Sequence, residues 1–326
     1  MNRLKTAVSQ TGITEMESSP RKQHVRFHKM KTASYWAGKT GRLFLYTALI
    51  CVAYVFLYPF IYMIITSLMS MEDLVDVAVQ WIPSSLYTYN YEAAWRGLSY
   101  PTYFLNSFIV TVAATAGHLL SCSLAGYGFA RYQSRLTNIL FVVVLLVMIV
   151  PVQTTIISSY MTFYNFGWLD TFLPMIVPTF FGFGLRGGLF IFIFRQNFLG
   201  MPAELEEAAF IDGCGKLRTF LKVAMPIARP SLLVTMILSV VWHWNDYVEP
   251  NYYITDQTRK LLPMLLTDLH KNALGAGESL FNKGEFVYTM GTAMAGAFLV
   301  VLPILVFYLI FQRQFVTSIE RTGLVG

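Results

Sequence analysis

The chain has 326 residues, of which 55% are hydrophobic and only 13% are charged. This composition leaves too few polar side chains to cover a soluble protein of that length, so it predicts a protein that crosses a membrane several times. The net charge is +6, but the basic residues lie beside apolar segments and form no stripe interleaved with aromatic residues, which excludes a nucleic-acid-binding class. Cys51, Cys122 and Cys214 show neither pairing nor ligand spacing, so we expect no disulfide framework and no metal site.

The chain begins with a polar, basic arm, residues 1–42. Its basic residues gather in the second half: Arg21, Lys22, Arg26, Lys29, Lys31, Lys39 and Arg42. Low hydrophobicity predicts disorder over residues 1–20. The arm lacks the short basic, apolar and small-residue pattern of a cleaved signal, so we expect the first apolar segment to be retained.

Six apolar stretches follow the arm, which predicts an all-α membrane protein with six transmembrane helices. They are residues 43–69, 104–129, 138–160, 172–196, 227–248 and 286–311. Each is close to the ~20 residues that cross ~30 Å of hydrocarbon. Pro151 and the glycines around Arg186 predict interruptions within the third and fourth spans, which membrane helices tolerate where the freed backbone groups face protein or water.

Lys and Arg are concentrated in alternate connections, which predicts the orientation. The N-terminal arm, the connections after the second and fourth spans and the C-terminus are rich in Lys and Arg, whereas the first and third loops are poor in them. The positive-inside rule places both termini and the connection after the fourth span in the cytoplasm.

The polar segment Glu204 to Pro226, between the fourth and fifth spans, predicts a helix, a glycine turn and a second helix. Pro202 suits the first helical position, and the acidic residues that follow it face the positive end of the helix dipole. Gly213 and Gly215 predict the turn, and Pro226 predicts the end of the second helix.

This segment carries a recognisable pattern. Its residues are Glu207, Ala208, Ala209, Gly213, Val223, Met225 and Pro226. In this register they resemble the Glu-Ala-Ala signature of the inner-membrane permeases of binding-protein-dependent ABC importers. Val150-Pro151, Trp244-Asn245-Asp246 and Gln312-Arg313-Gln314 are similar to the carbohydrate branch of that family, in particular to the second permease of maltose-type importers.

The resemblance implies the fold of a type I ABC importer permease with three parts. These are the arm 1–42, a six-span domain 43–311 with a coupling loop 197–226, and a cytoplasmic tail 312–326. It also implies the residues that couple the permease to an ATPase: Glu207, Ala208, Ala209, Asp212, Gly213 and Pro226. We therefore expect a bacterial-type cytoplasmic (inner) membrane protein that pairs with a second permease, two ATPase subunits and an extracytoplasmic solute-binding protein.

ATP and Mg²⁺ are expected on the ATPase and no cofactor on this chain, because the sequence contains no phosphate-binding loop, metal-ligand cluster or activated nucleophile. The expected cargo is a sugar or oligosaccharide. The alternative is an importer of another solute, such as an amino acid or a polyamine.

Polar and aromatic side chains inside spans are the candidates for the substrate path. They are Arg186, Trp242, Asn245, Asp246, Gln153 and Ser239. Helical spacing puts Ser239, Trp242, Asn245 and Asp246 on one face of the fifth span, where an aromatic ring with amide and carboxylate partners could bind a sugar. The aromatic residues there could equally form an interfacial belt. A cation within a span costs at least ~2.5 kcal/mol, so Arg186 is predicted to pair with Asp246, line the cavity, meet an acidic sugar or lie in an unwound stretch near water.

Overall fold

The structure is a computed structural model that describes residues 20–79, 81–184, 186–279 and 289–323, and the regular elements in these ranges are all helical. The all-α class is confirmed. The chain divides into two compact units, residues 1–61 and residues 62–326.

The first unit consists, in its described part, of the beginning of one long helix. This helix, α1, runs from Pro20 to Ser67 without a break, so it begins inside the predicted arm. Residues 1–19, where we expected disorder, lie outside the described residues.

In its described part, the second unit contains the end of α1 and fourteen further helices. They are α2 (Met71–Val75), α3 (Tyr89–Gly97), α4 (Tyr100–Arg131), α5 (Arg135–Ile149), α6 (Val152–Asn165), α7 (Leu173–Ile176), α8 (Gly187–Leu199), α9 (Glu204–Ile211), α10 (Lys216–Thr219), α11 (Met225–Ile227), α12 (Arg229–Trp244), α13 (Val248–Tyr253), α14 (Leu262–Ser279) and α15 (Met290–Gly323). Short 3₁₀-helices cover Val177–Phe181 and Gln257–Arg259, and a π-helical turn covers Phe220–Ala224.

Three segments are single helices long and apolar enough to cross a membrane: Gly41–Ser67, Tyr100–Arg131 and Met290–Gln314. Two further pairs qualify only when a bend is allowed, α5 with α6 at 103° and the Lys216–Ile227 segment with α12 at 78°. The described residues therefore give three to five candidate spans, and the predicted count of six is not confirmed. The start of the predicted sixth span, residues 286–288, lies outside them.

The predicted interruptions of the third and fourth spans are present. Pro151 is extended between α5 and α6, because a proline cannot continue the hydrogen-bond ladder and disfavours the helical region for the residue before it. In the predicted fourth span, α7 passes into a 3₁₀-helix that ends at Gly182, whose φ is 69°. Regular helix resumes only at α8, so the span is not one continuous helix.

The helix α4 forms the centre of the second unit because it packs against both α8 and α12. Gly126 of α4 lies so close to α8 that a Cβ atom there would collide with the side chain of Phe194. A small residue is needed at this crossing because it lets the two backbones approach. Cys122, Tyr127 and Phe194 belong to the buried cluster that fills this contact.

Buried Asn90, on α3, joins the end of α1 to the start of α15. Its amide nitrogen donates to the carbonyl oxygens of Ser67 and Met69, at 3.0 and 2.8 Å. Its carbonyl oxygen accepts from the hydroxyl of Thr292, at 3.2 Å, and lies 3.5 Å from the hydroxyl of Thr289. Both polar ends of the amide are thus paired inside the protein, as a buried polar group requires.

Candidate functional site

The predicted helix–turn–helix is present as α9 and α10. The acidic residues Glu204, Glu206 and Glu207 occupy the first turn of α9, where the helix dipole favours negative charge. Gly213 has a φ of 79°, a left-handed conformation that glycine adopts without a steric cost. The prediction that Pro202 occupies the first helical position is wrong. The helix begins at Glu204 with Ala203 as its N-cap, and Pro202 precedes the N-cap.

The role of Pro226 is also corrected. It lies within α11 and does not end the second helix, which continues from α10 through the π-helical turn to Ile227. The wider turn before Pro226 accommodates a ring that would clash with a regular α-helical turn. The direction changes instead at Ala228, where α12 begins at an angle of 78°.

The predicted coupling residues of α9 lie on two faces of the helix, one exposed and one packed against the rest of the chain. Glu207, Ala208 and Asp212 are exposed, whereas Glu206 and Ala209 are buried against the rest of the chain. Large apolar side chains are also exposed on and after α9: Leu205, Phe210, Ile211, Leu217 and Leu221. An exposed surface that combines a carboxylate, a small residue and such apolar groups is suited to contact with another protein.

The buried carboxylate of Glu206 is paired with Arg131, at the end of α4. The guanidinium Nε donates to the carboxylate Oε1 at 2.7 Å, and Nη2 donates to the carbonyl oxygen of Met201 at 2.9 Å. From the sequence, Glu206 was predicted only as one of the acids that face the helix dipole, and its pairing with Arg131 was not predicted. An acidic residue beside the signature acid is a weak signal, and Arg131 lies 75 positions earlier in the sequence, so the sequence does not indicate their contact.

A second group of residues surrounds the break before α8. Arg186 is the N-cap of α8, with a left-handed φ of 64°, and its guanidinium lies 5.4 Å from the ring centroid of Trp242 on α12. That ring also contacts Phe190 of α8, with centroids 5.6 Å apart. The geometry is that of a cation–π contact beside an aromatic pair, and the Arg186 side chain remains exposed.

An ion pair between Arg186 and Asp246, one of the four alternatives for Arg186, is not among the ion pairs of the described residues. Asp246 lies beyond the end of α12, and its Oδ1 accepts from the backbone N–H groups of Val248 and Glu249, at 3.1 and 3.4 Å. The carboxylate therefore caps α13. Such local capping competes with a long-range partner for the same oxygen atoms.

Ser239 is buried in contact with α4. Its hydroxyl accepts from Thr115 at 3.1 Å and lies 3.3 Å from Nδ1 of His118. Nε2 of His243 lies 3.4 Å from the same Nδ1 atom, and the two imidazole rings are stacked. This polar cluster joins α4 to α12 inside the protein.

The remaining path candidates lie apart from this cluster. The predicted shared face does not extend to Asn245 because α12 ends at Trp244; Asn245 is the exposed C-cap, and its side chain donates to the carbonyl oxygen of Val241. Gln153 is exposed in the first turn of α6. Within the described part of the chain, no three His, Cys, Asp or Glu side chains could hold a metal ion.

Comparison with known proteins identifies the family. The profile of the family described as binding-protein-dependent transport system inner membrane component matches residues 117–321, which include the helix–turn–helix, Arg186 and Trp242. The chain belongs to this family.

Other members support the same assignment along most of the chain. The diacetylchitobiose uptake system permease protein NgcG of Streptomyces coelicolor is 31% identical over 71% of this chain and 72% of its own length. The probable starch degradation products transport system permease protein AmyC of Thermoanaerobacterium thermosulfurigenes is 27% identical over 73% of this chain and 81% of its own.

The fold of this family member is shared with a solved structure. A chain from the crystal structure of a bacterial ABC transporter involved in the import of the acidic polysaccharide alginate matches with a TM-score of 0.71. The match covers 86% of this chain and 98% of the other, at 21% sequence identity. It supports the all-α ABC permease fold that the sequence predicted.

Proposed function

We propose that this chain is the membrane-spanning permease subunit of an ABC importer that moves a sugar or oligosaccharide into the cytoplasm. The observation that carries the proposal is the family match, which includes a helix–turn–helix with an exposed signature acid, Glu207. The names of the relatives, which refer to starch degradation products and to diacetylchitobiose, favour a sugar over an amino acid or a polyamine.

In this proposal the chain crosses the cytoplasmic membrane six times, and both termini and the coupling loop 197–226 face the cytoplasm. The interrupted third and fourth segments each cross the membrane once as a broken helix. The distribution of Lys and Arg supports this orientation. A second permease completes the pathway, and a solute-binding protein delivers the sugar from outside. Two ATPase subunits carry ATP and Mg²⁺, so this chain catalyses no hydrolysis.

The exposed face of α9 is the proposed contact with the ATPase. Glu207 offers a carboxylate for a charge-assisted hydrogen bond, and Ala208 beside it permits close approach of a partner. Asp212 lies at the exposed end of the same helix. Ala209 and Gly213 contribute indirectly, because the first packs α9 against its own chain and the second forms the turn.

The proposed substrate path passes the Arg186–Trp242 contact. Trp242 offers an aromatic surface to a sugar ring, and the guanidinium of Arg186 can donate to sugar hydroxyls while it remains over the indole ring. The break before α8 supports this placement, because irregular backbone within a membrane protein occurs where it faces protein or a water-filled cavity.

Uptake by the complete complex tests the function. The chain would be co-expressed with its second permease, ATPase and binding protein and reconstituted in proteoliposomes, and the uptake of oligosaccharides, amino acids and polyamines would be compared. We expect ATP-dependent uptake of a sugar. Uptake of only an amino acid or a polyamine would contradict the sugar assignment, and no ATP-dependent uptake of any solute would contradict the transport role.

A paired substitution tests the proposed ATPase contact in the same vesicles. We expect Glu207→Lys to abolish the stimulation of ATP hydrolysis while the permease still inserts. Glu204→Lys is the matched control, because Glu204 is also exposed and lies in the same turn of α9. Equal ATPase stimulation in the two variants would rule out a specific role for Glu207.

A further inference from the structure

Two consecutive residues at the end of α4 contact the helix–turn–helix. Arg131, the last residue of α4, binds Glu206 of α9, and Tyr132, the next residue, places its ring 5.2 Å from the ammonium group of Lys216 at the start of α10. The two arms of the helix–turn–helix are thus attached to one point of the fold. The first attachment is an ion pair with hydrogen bonds, and the second is a cation–π contact.

The Arg131 attachment is shielded from solvent. The side chains of Arg131 and Glu206 are only 18% and 10% exposed. Exposed ion pairs contribute little to stability, whereas the loss of one partner from a shielded pair leaves a charge without compensation. The same guanidinium also donates to the carbonyl oxygen of Met201, so it holds the connection from α8 as well as α9.

Aromatic packing makes the same end of α4 rigid. The ring of Tyr127, one turn before Arg131, contacts Phe198 of α8 and Phe220 of the π-helical turn, with centroids 5.3 and 5.0 Å apart. All three rings are buried in one cluster. Close packing of this kind transmits displacement, because buried side chains cannot move independently.

The helix α4 connects this attachment to the interior of the chain. It is one continuous helix of 32 residues, so it spans about 48 Å at ~1.5 Å per residue. Farther along it, Thr115 and His118 contact Ser239 of α12 in the buried polar cluster. The helix α4 therefore connects its Arg131 end with α12, the helix that carries Trp242.

We propose that Arg131 is a positioning residue for transport, which uses Glu206 to join the helix–turn–helix to α4 as one rigid unit. The inference rests on the proposed function and deepens it. It assigns different roles to two consecutive acids: Glu206 faces its own chain and passes movement to α4, whereas Glu207 faces the ATPase. Without the Arg131–Glu206 pair, the ATPase can still bind and hydrolyse ATP, but α9 moves without taking α4 with it.

The ratio of solute imported to ATP hydrolysed, measured in proteoliposomes that contain the complete complex, tests this role. In Glu206→Gln and Arg131→Gln we expect the ratio to fall about tenfold, the effect of losing one charge-assisted hydrogen bond. ATP hydrolysis itself should persist. The double reversal Arg131→Glu with Glu206→Arg should restore part of the ratio. An unchanged ratio in the single variants, or no recovery in the double variant, would overturn the proposal.

Glu204→Gln is the matched control, because it removes an exposed acid from the same turn and should leave the ratio unchanged. An equal fall in this variant would also count against the role of the Arg131–Glu206 pair.

A second measurement does not depend on the transported solute. Spin labels at positions 133 and 211, in a chain whose native cysteines are replaced, report the distance from the end of α4 to α9. We expect Glu206→Gln to broaden that distance distribution. An unchanged distribution would overturn the rigid connection even if the complex proved to transport another solute.

Discussion

The carboxylate of Asp170 accepts hydrogen bonds from both the backbone N–H and the hydroxyl group of Thr255, at 2.6 and 2.8 Å. The same oxygen atom accepts from the backbone N–H of Asp256 at 2.8 Å. The carbonyl oxygen of Asp170 in turn accepts from Arg259 at 2.7 Å. A single residue between α6 and α7 thus fixes the connection that follows α13.

These contacts predict that stability depends on the ionisation of Asp170. Hydrogen bonds from the N–H groups of Asp256 and Thr255 lower the pKa of Asp170 in the folded protein. The stabilisation is therefore complete at pH values above the unfolded-state pKa, about 3.9, and is lost as the pH falls through the lower folded-state value. Thermal unfolding of the detergent-solubilised protein should show this loss in the wild type and much less of it in Asp170→Asn.

At neutral pH, Asp170→Asn should lower the melting temperature, because a neutral amide is a weaker acceptor for three donors than a carboxylate. Asp76→Asn is a suitable control, since Asp76 accepts a single local hydrogen bond from the N–H of Ala78. Equal shifts in the two variants would show that the Asp170 contacts have no special importance.

Gly213 and Gly215 should differ in how much stability they lose when each is replaced by alanine. Gly213 has a φ of 79°, whereas Gly215 has a φ of −76°, and a Cβ atom at either position meets open space. Gly213→Ala should therefore cost about 1 to 2 kcal/mol through backbone strain alone. Gly215→Ala should lower the free energy of unfolding much less. Equal melting temperatures of the two variants would show that the left-handed conformation of Gly213 has no such cost.

A second glycine pair tests the contact between α4 and α8. A Cβ atom at Gly126 would collide with Phe194, whereas at Gly128, half a turn further along α4, nothing lies within 4 Å. Gly126→Ala should cost about 1 to 3 kcal/mol because the two helices must separate. Gly128→Ala should be tolerated. The yield and melting temperature of the purified variants distinguish these outcomes, and a tolerated Gly126→Ala would mean that the helices do not approach so closely.

Substitutions at Arg186 should lower the affinity for the sugar. A change at Asp246 should not compensate for this loss. Removal of the charge in Arg186→Gly also relieves the left-handed backbone, so a loss of affinity in this variant comes from the side chain and not from strain. We expect a several-fold loss of sugar affinity, which Arg186→Lys partly prevents, because a cation–π contact with Trp242 contributes about 0.5 to 2 kcal/mol.

Exchange of the two charges, in Arg186→Asp with Asp246→Arg, should be no better than Arg186→Asp alone, because Asp246 caps its own helix. Recovery of transport in this double variant would show that the two residues pair in another state of the transporter.

Local features of the fold followed from the sequence. The turn at Gly213, the break at Pro151 and the interrupted fourth segment each depend on the conformational preferences of one or two residues, which can be read without a partner. Contacts between distant segments could not be read in this way. Arg131 and Glu206 are separated by 75 residues, and nothing in either local sequence identifies the other.

The candidates for the substrate path show the limit of helical periodicity. The spacing of Ser239 and Trp242 was compatible with a common face, but periodicity does not state which helix that face meets. In the structure Ser239 meets α4 and Trp242 meets Arg186, while α12 ends before Asn245. The capping role of Asp246 depends on where α12 ends, and helix ends are the least certain feature of a sequence-based prediction.

The hydrogen bonds of Asn90 have a consequence for biogenesis. The partners of the amide oxygen, Thr289 and Thr292, follow Asn90 by 199 and 202 residues, so they are synthesised long after α1 and α3. Before α15 is present, the amide oxygen of Asn90 lacks both of these partners, and a buried polar group without a hydrogen bond costs free energy. A chain that stops before residue 289 should therefore hold α3 less firmly against the end of α1 than a chain that contains α15.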